Sequence, residues 1–389
     1  MKIAIVGCGP AGLAAALMLY RDGHHVVMFE RFDTPRPVGS GIILQPTGLA
    51  VLRELDLDGD IHSCGARIDN MHGVSMPSGK TVLDVNYSVL GEGFHGLAVH
   101  RAALFDVLHA AVQACGVEIQ TGVEVTSIEN AIQLQSASFD FLIDASGARS
   151  RLQHRDSGSS NWRALTFGAL WGSFRWPDNG FSTNTLEQRY VGAHRMIGVL
   201  PIGQHAGATT DQVAFFWSIR TDQYKVWLAR GLDAWKSDVR SIWPATDVIL
   251  EQISDPSQMA LARYGHGTMR RPYKVKVVFL GDSAHSTSPQ LGQGANMALL
   301  DAWAFAAALR DSADVESAMQ NYAKRRRWHV RAFQLTSLAL TPFYQSDSRI
   351  LAALRDLLFD PVSKLPVARR VVAGLISGML AGPPRDLHY

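Results

Sequence analysis

Short apolar runs and helical periodicity alternate through the first part of the chain. Lys2–Val6 and His25–Phe29 read as buried strands, and Leu13–Tyr20 between them is a run of strong helix formers. That order predicts a strand–helix–parallel-strand unit. Phe139–Ile143 and Lys276–Leu280 are two further strand candidates of the same kind. Between them the pattern changes. Leu165–Arg175, Leu186–Tyr190, Met196–Leu200 and Val213–Ile219 mix β-branched and aromatic residues with others, and clusters of Gly, Asn, Asp and Pro separate them. Trp227–Trp243 carries apolar positions at three- and four-residue steps and predicts one helix. After Asp301 the chain reads as largely helical, with a basic amphipathic stretch at Tyr322–Arg331 and two or three more helices behind it.

Composition narrows the class. The chain has 389 residues, more than most single cores hold, which predicts two closely packed domains. Hydrophobic residues at 47% and charged residues at 19% fit a globular enzyme, and a net charge of +2 argues against a nucleic-acid binder. The run Lys324–Arg327 is short and reads as a solvated helix face. Cys8, Cys64 and Cys115 form no C-x-x-C pair, and the histidines show no ligand spacing, so neither a disulfide framework nor a metal site is expected. The N-terminal apolar stretch has no cleavage site, and Val371–Ala381 is about half a bilayer span, so a cytoplasmic protein is expected. Arg369 and Arg370 precede that last stretch, yet a buried terminal helix is favoured over membrane contact.

Between the first strand and its helix stands Gly7-Cys8-Gly9-Pro10-Ala11-Gly12, a complete G-x-G-x-x-G in the context that gives the pattern meaning. Gly7 allows the tight turn, Gly9 lets the backbone approach a pyrophosphate, and Gly12 lets the helix pack close to the sheet. Unpaired N–H groups and the helix dipole favour a phosphate there. Glu30, closing the second strand, is placed to accept hydrogen bonds from a ribose. The loop therefore predicts dinucleotide binding, and Cys8 inside it reads as a small packing residue.

Far downstream, Lys276–Leu280 runs into Gly281-Asp282-Ser283-Ala284-His285, then Pro289, Gly292, Gly294, Ala295 and Asn296. A carboxylate at a strand end suits a polyol hydroxyl. Pro289 sets a rigid turn, and Gly292 and Gly294 open backbone N–H groups before a helix starting near Ala295. Such donors suit an electron-rich ring that becomes anionic on reduction. The string closely resembles the G-D-x-A-H…P…G-x-G-x-N-x-A…D-A motif of the FAD-dependent aromatic hydroxylases, the class A flavoprotein monooxygenases similar to para-hydroxybenzoate hydroxylase. The resemblance implies that Asp282 holds the FAD ribityl chain, that Pro289 lies beside the flavin, and that Gly292–Asn296 line the pyrimidine edge of its ring.

The resemblance extends over most of the chain. Glu30-Arg31 with Arg36-Pro37-Val38-Gly39-Ser40-Gly41-Ile42 looks like the family's R-P-x-G-x-G-I segment near the flavin. His100-Arg101-Ala102-Ala103-Leu104 resembles its h-R-x-x-L element, which puts Arg101 near the ribityl chain or phosphates. For Arg36 an ordinary surface ion pair is an equal reading. One stretch departs: where the family has G-A-D-G-x-x-S-x-x-R, this chain has Asp144-Ala145-Ser146-Gly147 and ends at Gln153. Asp144 stands two residues upstream of the missing Asp. His285 reads as a structural histidine joining strand end to loop.

The implied fold is α/β, a Rossmann-like FAD-binding domain with an inserted β-sheet substrate domain and C-terminal helices. The implied division places FAD binding in 1–72, 97–160 and 274–335, the substrate sheet in 73–96 and 161–273, and a helical region in 336–389. Aromatic residues of the insertion, such as Trp171, Tyr190 and Phe216, suit a flat apolar substrate, and Leu44–Thr47 would reach its pocket. The resemblance implies a monooxygenase that takes electrons from NAD(P)H as a transient co-substrate. It would insert oxygen from a C4a-hydroperoxyflavin into a small hydrophobic, usually aromatic, molecule by hydroxylation or epoxidation. A flavin reductase or oxidase of a hydrophobic substrate is the alternative, and a non-catalytic FAD sensor a remote one. The W-x-W-x-I-P segment of halogenases is absent. No catalytic side chain is nominated.

Overall fold

A computed structural model describes residues 1–34, 41–127, 139–154, 162–178, 180–204, 208–380, 387 and 389. Its centre is a six-stranded sheet assembled from distant parts of the chain. Lys2–Val6 lies between His25–Phe29 and Phe141–Asp144, with Val277–Phe279 beyond the latter, all parallel. Glu118–Gln120 extends one side in parallel, and Tyr273–Lys274 closes the other antiparallel. The apolar runs read from the sequence are these inner strands, and each is buried on both faces, as parallel strands between helices must be.

The helix Pro10–Arg21 begins with proline in its first turn, where a missing N–H costs nothing. It is buried without a break from Ala11 to Leu19. A continuous apolar run of this kind, rather than a stripe, marks a helix packed on all sides. Its partner is Gly294–Arg310, equally rich in alanine, so the two backbones approach closely. Both helices, with Arg101–Ala114 and Pro46–Glu54, cover one face of the sheet in one apolar core.

A second sheet has eight strands. Arg163–Arg175, Gln212–Arg220, Arg195–Gly203 and Thr185–Val191 form its antiparallel centre, and Asn70–Ser75 joins Thr185–Val191 in parallel. Asn70–Ser75 is thus the first segment of the chain to enter this sheet. A small sheet of Gly41–Leu44, Gly96–His100 and Ala66–Ile68 links the two. The alternation along Gln212–Arg220 sorts the aromatics: Phe215 and Trp217 enter the outer core, while Ala214 and Phe216 face inward. Inward, Phe216 lies 4.4 Å from Trp171, centroid to centroid.

The helix expected over Trp227–Trp243 is two helices, Tyr224–Arg230 and Leu232–Ile242. Gly231 between them adopts φ +80°, a left-handed conformation that ends one helix and turns the chain into the next. The stretch Tyr322–Arg331 belongs to a much longer helix, Val315–Tyr344, followed by Arg349–Ser363 and Pro366–Ile376. The last of these is only half buried: Ala373 and Ile376 are enclosed, whereas Val367 and Val371 stand in solvent. Among the described residues no helix is long and apolar enough to cross a membrane, and no group of three or more His, Cys, Asp or Glu side chains is placed to share a metal.

Candidate functional site

The two glycine-rich signatures meet. A Cβ on Gly281 would lie 3.2 Å from that of Ala298 and 3.3 Å from that of Ala11, so this glycine sits between the first turns of the two buried helices. Gly7, Glu30, Asp144 and Gly281 follow the C-terminal ends of neighbouring parallel strands, the edge where open α/β sheets bind ligands.

Within the first loop the glycines differ in what surrounds them. A Cβ on Gly12 would fall 2.0 Å from the Gly7 carbonyl oxygen, so only glycine fits. A Cβ on Gly9 would meet nothing within 4 Å. Gly9 is also the N-cap of Pro10–Arg21 with no side-chain cap, leaving the first-turn N–H groups, those of Ala11 and Gly12 included, open toward that space. Beside it, the Glu30 carboxylate accepts from Cys8 N at 2.9 Å and from Phe32 N at 3.2 Å, which fixes it over the loop. Burial and the Glu30 charge push the Cys8 thiol up to about 12, so it stays protonated and packs as a small apolar group. Arg31 is exposed, its guanidinium 4.7 Å from the Phe32 ring. Arg36 lies outside the described residues.

The second signature makes a similar opening. After the 3₁₀ turn Pro289–Leu291, Gly292 takes φ +62° and leads into Gly294–Arg310, again without a side-chain cap. A Cβ on Gly294 would meet nothing within 4 Å, and one on Gly292 only Gln45 Nε2 at 3.9 Å. The first-turn N–H groups of Ala295 and Asn296 have no helical acceptor of their own. Around this opening, Gln45 Nε2, Ser286 Oγ, Ser288 Oγ, Gln290 Nε2 and Gln293 Oε1 are buried with no hydrogen-bond partner. Orphaned buried polar atoms cost stability unless a ligand completes them.

Asp282 is reachable by solvent although protein surrounds it. Those two facts describe a carboxylate on the wall of a deep cleft. Desolvation pushes its pKa up, opposed by the charges of His285 and Arg101. Arg101 opens the helix Arg101–Ala114, and its charge reaches Tyr264 as well. The hydroxyl of Tyr264, raised to about 12 by burial, accepts from Trp171 Nε1 at 2.9 Å.

Some expectations are redirected. The Asn296 side chain does not face the opening: its Oδ1 accepts from Gln45 N at 2.8 Å, and its Nδ2 donates to Ile43 O and Gly292 O, both at 3.1 Å. It latches the signature loop to the Gly41–Leu44 strand, leaving only its backbone N–H for a ligand. Gly41 has a packing reason, since a Cβ there would lie 2.7 Å from both Ala214 Cβ and Ile202 Cγ2. Asp144 does not stand in for the missing Asp. Its carboxylate, fully buried, accepts from Ser146 N at 2.9 Å, Ser146 Oγ at 2.6 Å and Ser150 Oγ. Three of the about four hydrogen bonds it can accept go into shaping its own loop. Burial raises its pKa, and the serine hydrogen bonds pull against that.

His285 is tied to a buried hub. Asp301 Oδ2 accepts from His285 Nε2 at 2.6 Å and from Gly281 N at 2.8 Å, while Oδ1 accepts from Arg326 Nε at 2.7 Å. Arg326 Nη1 donates to His329 Nδ1 at 2.8 Å, and His329 Nε2 donates to Gly378 O at 2.9 Å. Strand end, signature helix, long helix and C-terminal turn are thereby joined at one carboxylate. Gln45 and Thr47 fall within the Leu44–Thr47 stretch expected to reach the pocket and Gln293 within Gly292–Asn296, but no motif or spacing in the chain pointed to Tyr87. Tyr87 Oη donates to Gln45 Oε1 at 2.6 Å, and Thr47 and Gln293 donate to the carbonyls of Ser377 and Ile376.

A cavity of about 200 Å³ lies elsewhere, on the outer face of the eight-stranded sheet, lined by Arg195, Trp217, Trp227 and Trp235 among others. Trp217, Trp227 and Trp235 belong to the outer core, on the face of the sheet opposite Phe216.

A family profile described as FAD binding domain matches residues 1–164 and 172–336. The chain belongs to that family. It is a flavoprotein of the class A FAD-dependent aromatic hydroxylase kind, an FAD-dependent monooxygenase. Bacillus subtilis YetM, itself named only as a candidate FAD-dependent monooxygenase, is 29% identical over 361 residues, covering 86% of this chain and 91% of that one. An FAD-dependent urate hydroxylase of Mycolicibacterium vanbaalenii is 25% identical over 341 residues, 84% of each chain. The solved structure of Klebsiella pneumoniae HpxO with FAD and uric acid superposes with a TM-score of 0.81 at 22% identity, covering 98% of this chain and 97% of that one. This last likeness establishes the shared fold.

The site passes a chemical test for FAD. Two uncapped helix N-termini, two open glycine positions, a fixed carboxylate at Glu30, a cleft carboxylate at Asp282 and five unpartnered buried polar atoms converge on one side of the six-stranded sheet.

Proposed function

We propose that this monooxygenase hydroxylates or epoxidises a small hydrophobic, aromatic or heteroaromatic molecule with molecular oxygen, using NAD(P)H as transient electron donor. The observation that carries the reading is the pair of open, uncapped helix N-termini brought together by Gly281. The curated relatives support the substrate class: one is named for urate, another, from Streptomyces cremeus, for 3-amino-4-hydroxybenzoate.

FAD, when bound, supplies electron uptake from the nicotinamide and the activation of oxygen. The chain's residues hold and enclose it. Glu30 takes the adenosine ribose, and the Gly9–Gly12 turn takes the pyrophosphate at its helix N-terminus. Asp282, with Arg101 nearby, takes the ribityl hydroxyls. Pro289 and the backbone from Gly292 through Ala295 to Asn296 position the ring, their N–H dipoles favouring its reduced, anionic form. The inward aromatics Trp171, Phe216 and Tyr264 roof the opening and keep water out. This reading assigns 1–72, 97–160 and 274–335 to FAD binding, 73–96 and 161–273 to the substrate sheet, and 336–389 to a helical cover.

Two measurements test the reading. Anaerobic reduction followed by stopped-flow mixing with oxygen should show a transient absorbance band that belongs to neither oxidised nor reduced flavin, and whose decay quickens with substrate. Reoxidation in a single step across a panel of phenolic and heteroaromatic compounds would instead favour a reductase or oxidase. Separately, Asp282→Ala is expected to weaken FAD retention on gel filtration about tenfold, consistent with the loss of one charge-assisted hydrogen bond. The same change should leave the apoprotein no less stable, because it removes a desolvated carboxylate whose pKa is raised.

A further inference from the structure

The C-terminal helices carry their apolar side chains on the wrong side for a freely soluble monomer. Arg349–Ser363 buries Ala352 and Arg355 toward the eight-stranded sheet. Its other face presents Ile350, Leu354, Leu357, Leu358 and Val362, steps of three and four residues that form one stripe, with Ile350 80% and Leu357 62% exposed. The stripe continues through Leu365 into Pro366–Ile376, where Val367 is 77% exposed and Val371 also stands in solvent. The long helix Val315–Tyr344 packs against Arg349–Ser363, which packs against Pro366–Ile376. On its own outer side the long helix adds Leu335 and Leu338, and two turns earlier Trp328, 64% exposed. Single exposed leucines are ordinary; a run of this length across three consecutive helices is an interaction surface.

The charges around the stripe that lack an ion-pair partner are of one sign. The guanidinium groups of Arg327 and Arg331 lie 5.2 Å and 5.5 Å from the Trp328 ring centroid. Neither they nor Arg349 and Arg370 form an ion pair with a carboxylate among the described residues. The acids closest in sequence are already engaged, Asp347 with Arg220, Asp356 with Arg355 and Asp360 with Lys364. This asymmetry selects the partner. A two-fold contact with a second copy sets the same patch against itself, so two sets of four uncompensated arginines would be brought into one interface. An anionic lipid surface supplies the missing charge, accepts the apolar stripe among its acyl chains and suits an exposed tryptophan at the headgroup level.

We propose that the face formed by Trp328, Leu335, the Ile350–Val362 stripe and Val367 seats this protein on an anionic lipid surface, with Arg327, Arg331, Arg349 and Arg370 as its electrostatic rim. Nothing crosses the bilayer; the helices lie in the interface. The proposal rests on the surface alone and stands or falls independently of the oxygenase chemistry. It replaces the buried terminal helix expected from the sequence with one that is half submerged.

The test is co-flotation of the FAD-loaded protein with vesicles of phosphatidylcholine alone and of phosphatidylcholine mixed equally with phosphatidylglycerol. The protein is expected to float with the mixed vesicles and not with the neutral ones, and rising salt should release it. Leu357→Glu combined with Val367→Glu, and separately Arg349→Glu combined with Arg370→Glu, should each lower the bound fraction at least tenfold while FAD content and melting midpoint stay unchanged. Absence of flotation with either vesicle, equal flotation with both, or binding unmoved by both double variants would overturn the proposal. So would a stable dimer in sedimentation velocity that Leu357→Glu with Val367→Glu converts to monomer, which would make the face a contact between copies.

Discussion

A Gly9→Val variant is expected to fold normally and to be purified without FAD. The prediction follows from the unequal surroundings of the two loop glycines. A Cβ at Gly12 runs into the Gly7 carbonyl, so a side chain there would damage the sheet–helix packing, whereas a Cβ at Gly9 meets no protein atom within 4 Å. The only thing the new isopropyl group would displace is what occupies the open space above the helix N-terminus. It denies the pyrophosphate its approach to the backbone and its share of the helix dipole, a loss of at least about 3 kcal/mol or more than a hundredfold in affinity. Flavin absorbance at matched protein concentration measures it, and the melting midpoint of apoprotein made from both forms should agree. A Gly9→Val protein that retains its flavin would remove the loop from the site.

The second large effect belongs to Asp301. This carboxylate is fully buried and accepts from Gly281 N, His285 and Arg326. Burial alone would raise its pKa; the charges of His285 and Arg326 outweigh that and hold it at about 2. Asp301→Asn puts an amide where three donors converge and leaves Arg326 without its anion, a change expected to cost about 3–5 kcal/mol. The melting midpoint should fall by roughly 4–6 °C. The pH dependence follows from the same cluster. Asp301 has a folded pKa below its ordinary 3.8, so the stability it lends is complete above about pH 4 and drains away as pH falls toward 2. His329 is lowered from 6.5 to about 3, first by burial and then by Arg326, so its neutral form is the one the fold holds. Its contribution is present above pH 6.5 and is lost as pH falls toward 3. Wild-type stability should therefore decline in two stages on acidification, and the lower stage should be missing from Asp301→Asn. A single stage in both proteins would mean that the hub does not set the acid limit.

The parts of the site that were legible share a property: each is a local run whose chemistry is complete within a few residues. The Gly7–Gly12 turn between strand and helix, the carboxylate at the end of His25–Phe29, and the Gly281–Asn296 string all announce themselves this way. What stayed hidden depends on contacts between distant segments. Nothing near Asn296 in sequence shows that its amide is consumed by Ile43 and Gln45, some 250 positions earlier. Nothing near Gln293 shows that it is held by a carbonyl of the last helix. Asp144 illustrates a subtler limit. It stands two residues before the family's missing Asp, but Ser146 and Ser150, visible in the same line of sequence, capture it locally. The missed helix break at Gly231 was a matter of periodicity, since the two short helices keep apolar steps that run through the turn.

The order of strands in the central sheet also has a consequence for how the protein is made. Phe141–Asp144 pairs on one side with Lys2–Val6, which precedes it by more than a hundred residues, and on the other with Val277–Phe279, which follows by as many. On the ribosome the first four parallel strands are complete long before the fifth exists. Through that interval Phe141–Asp144 shows a bare, apolar edge, the kind that recruits other chains. The helix Gly294–Arg310, which covers the same sheet and completes the second uncapped N-terminus, emerges later still. The flavin therefore enters a chain that is nearly finished, and until residues 277–310 arrive that edge has no partner of its own.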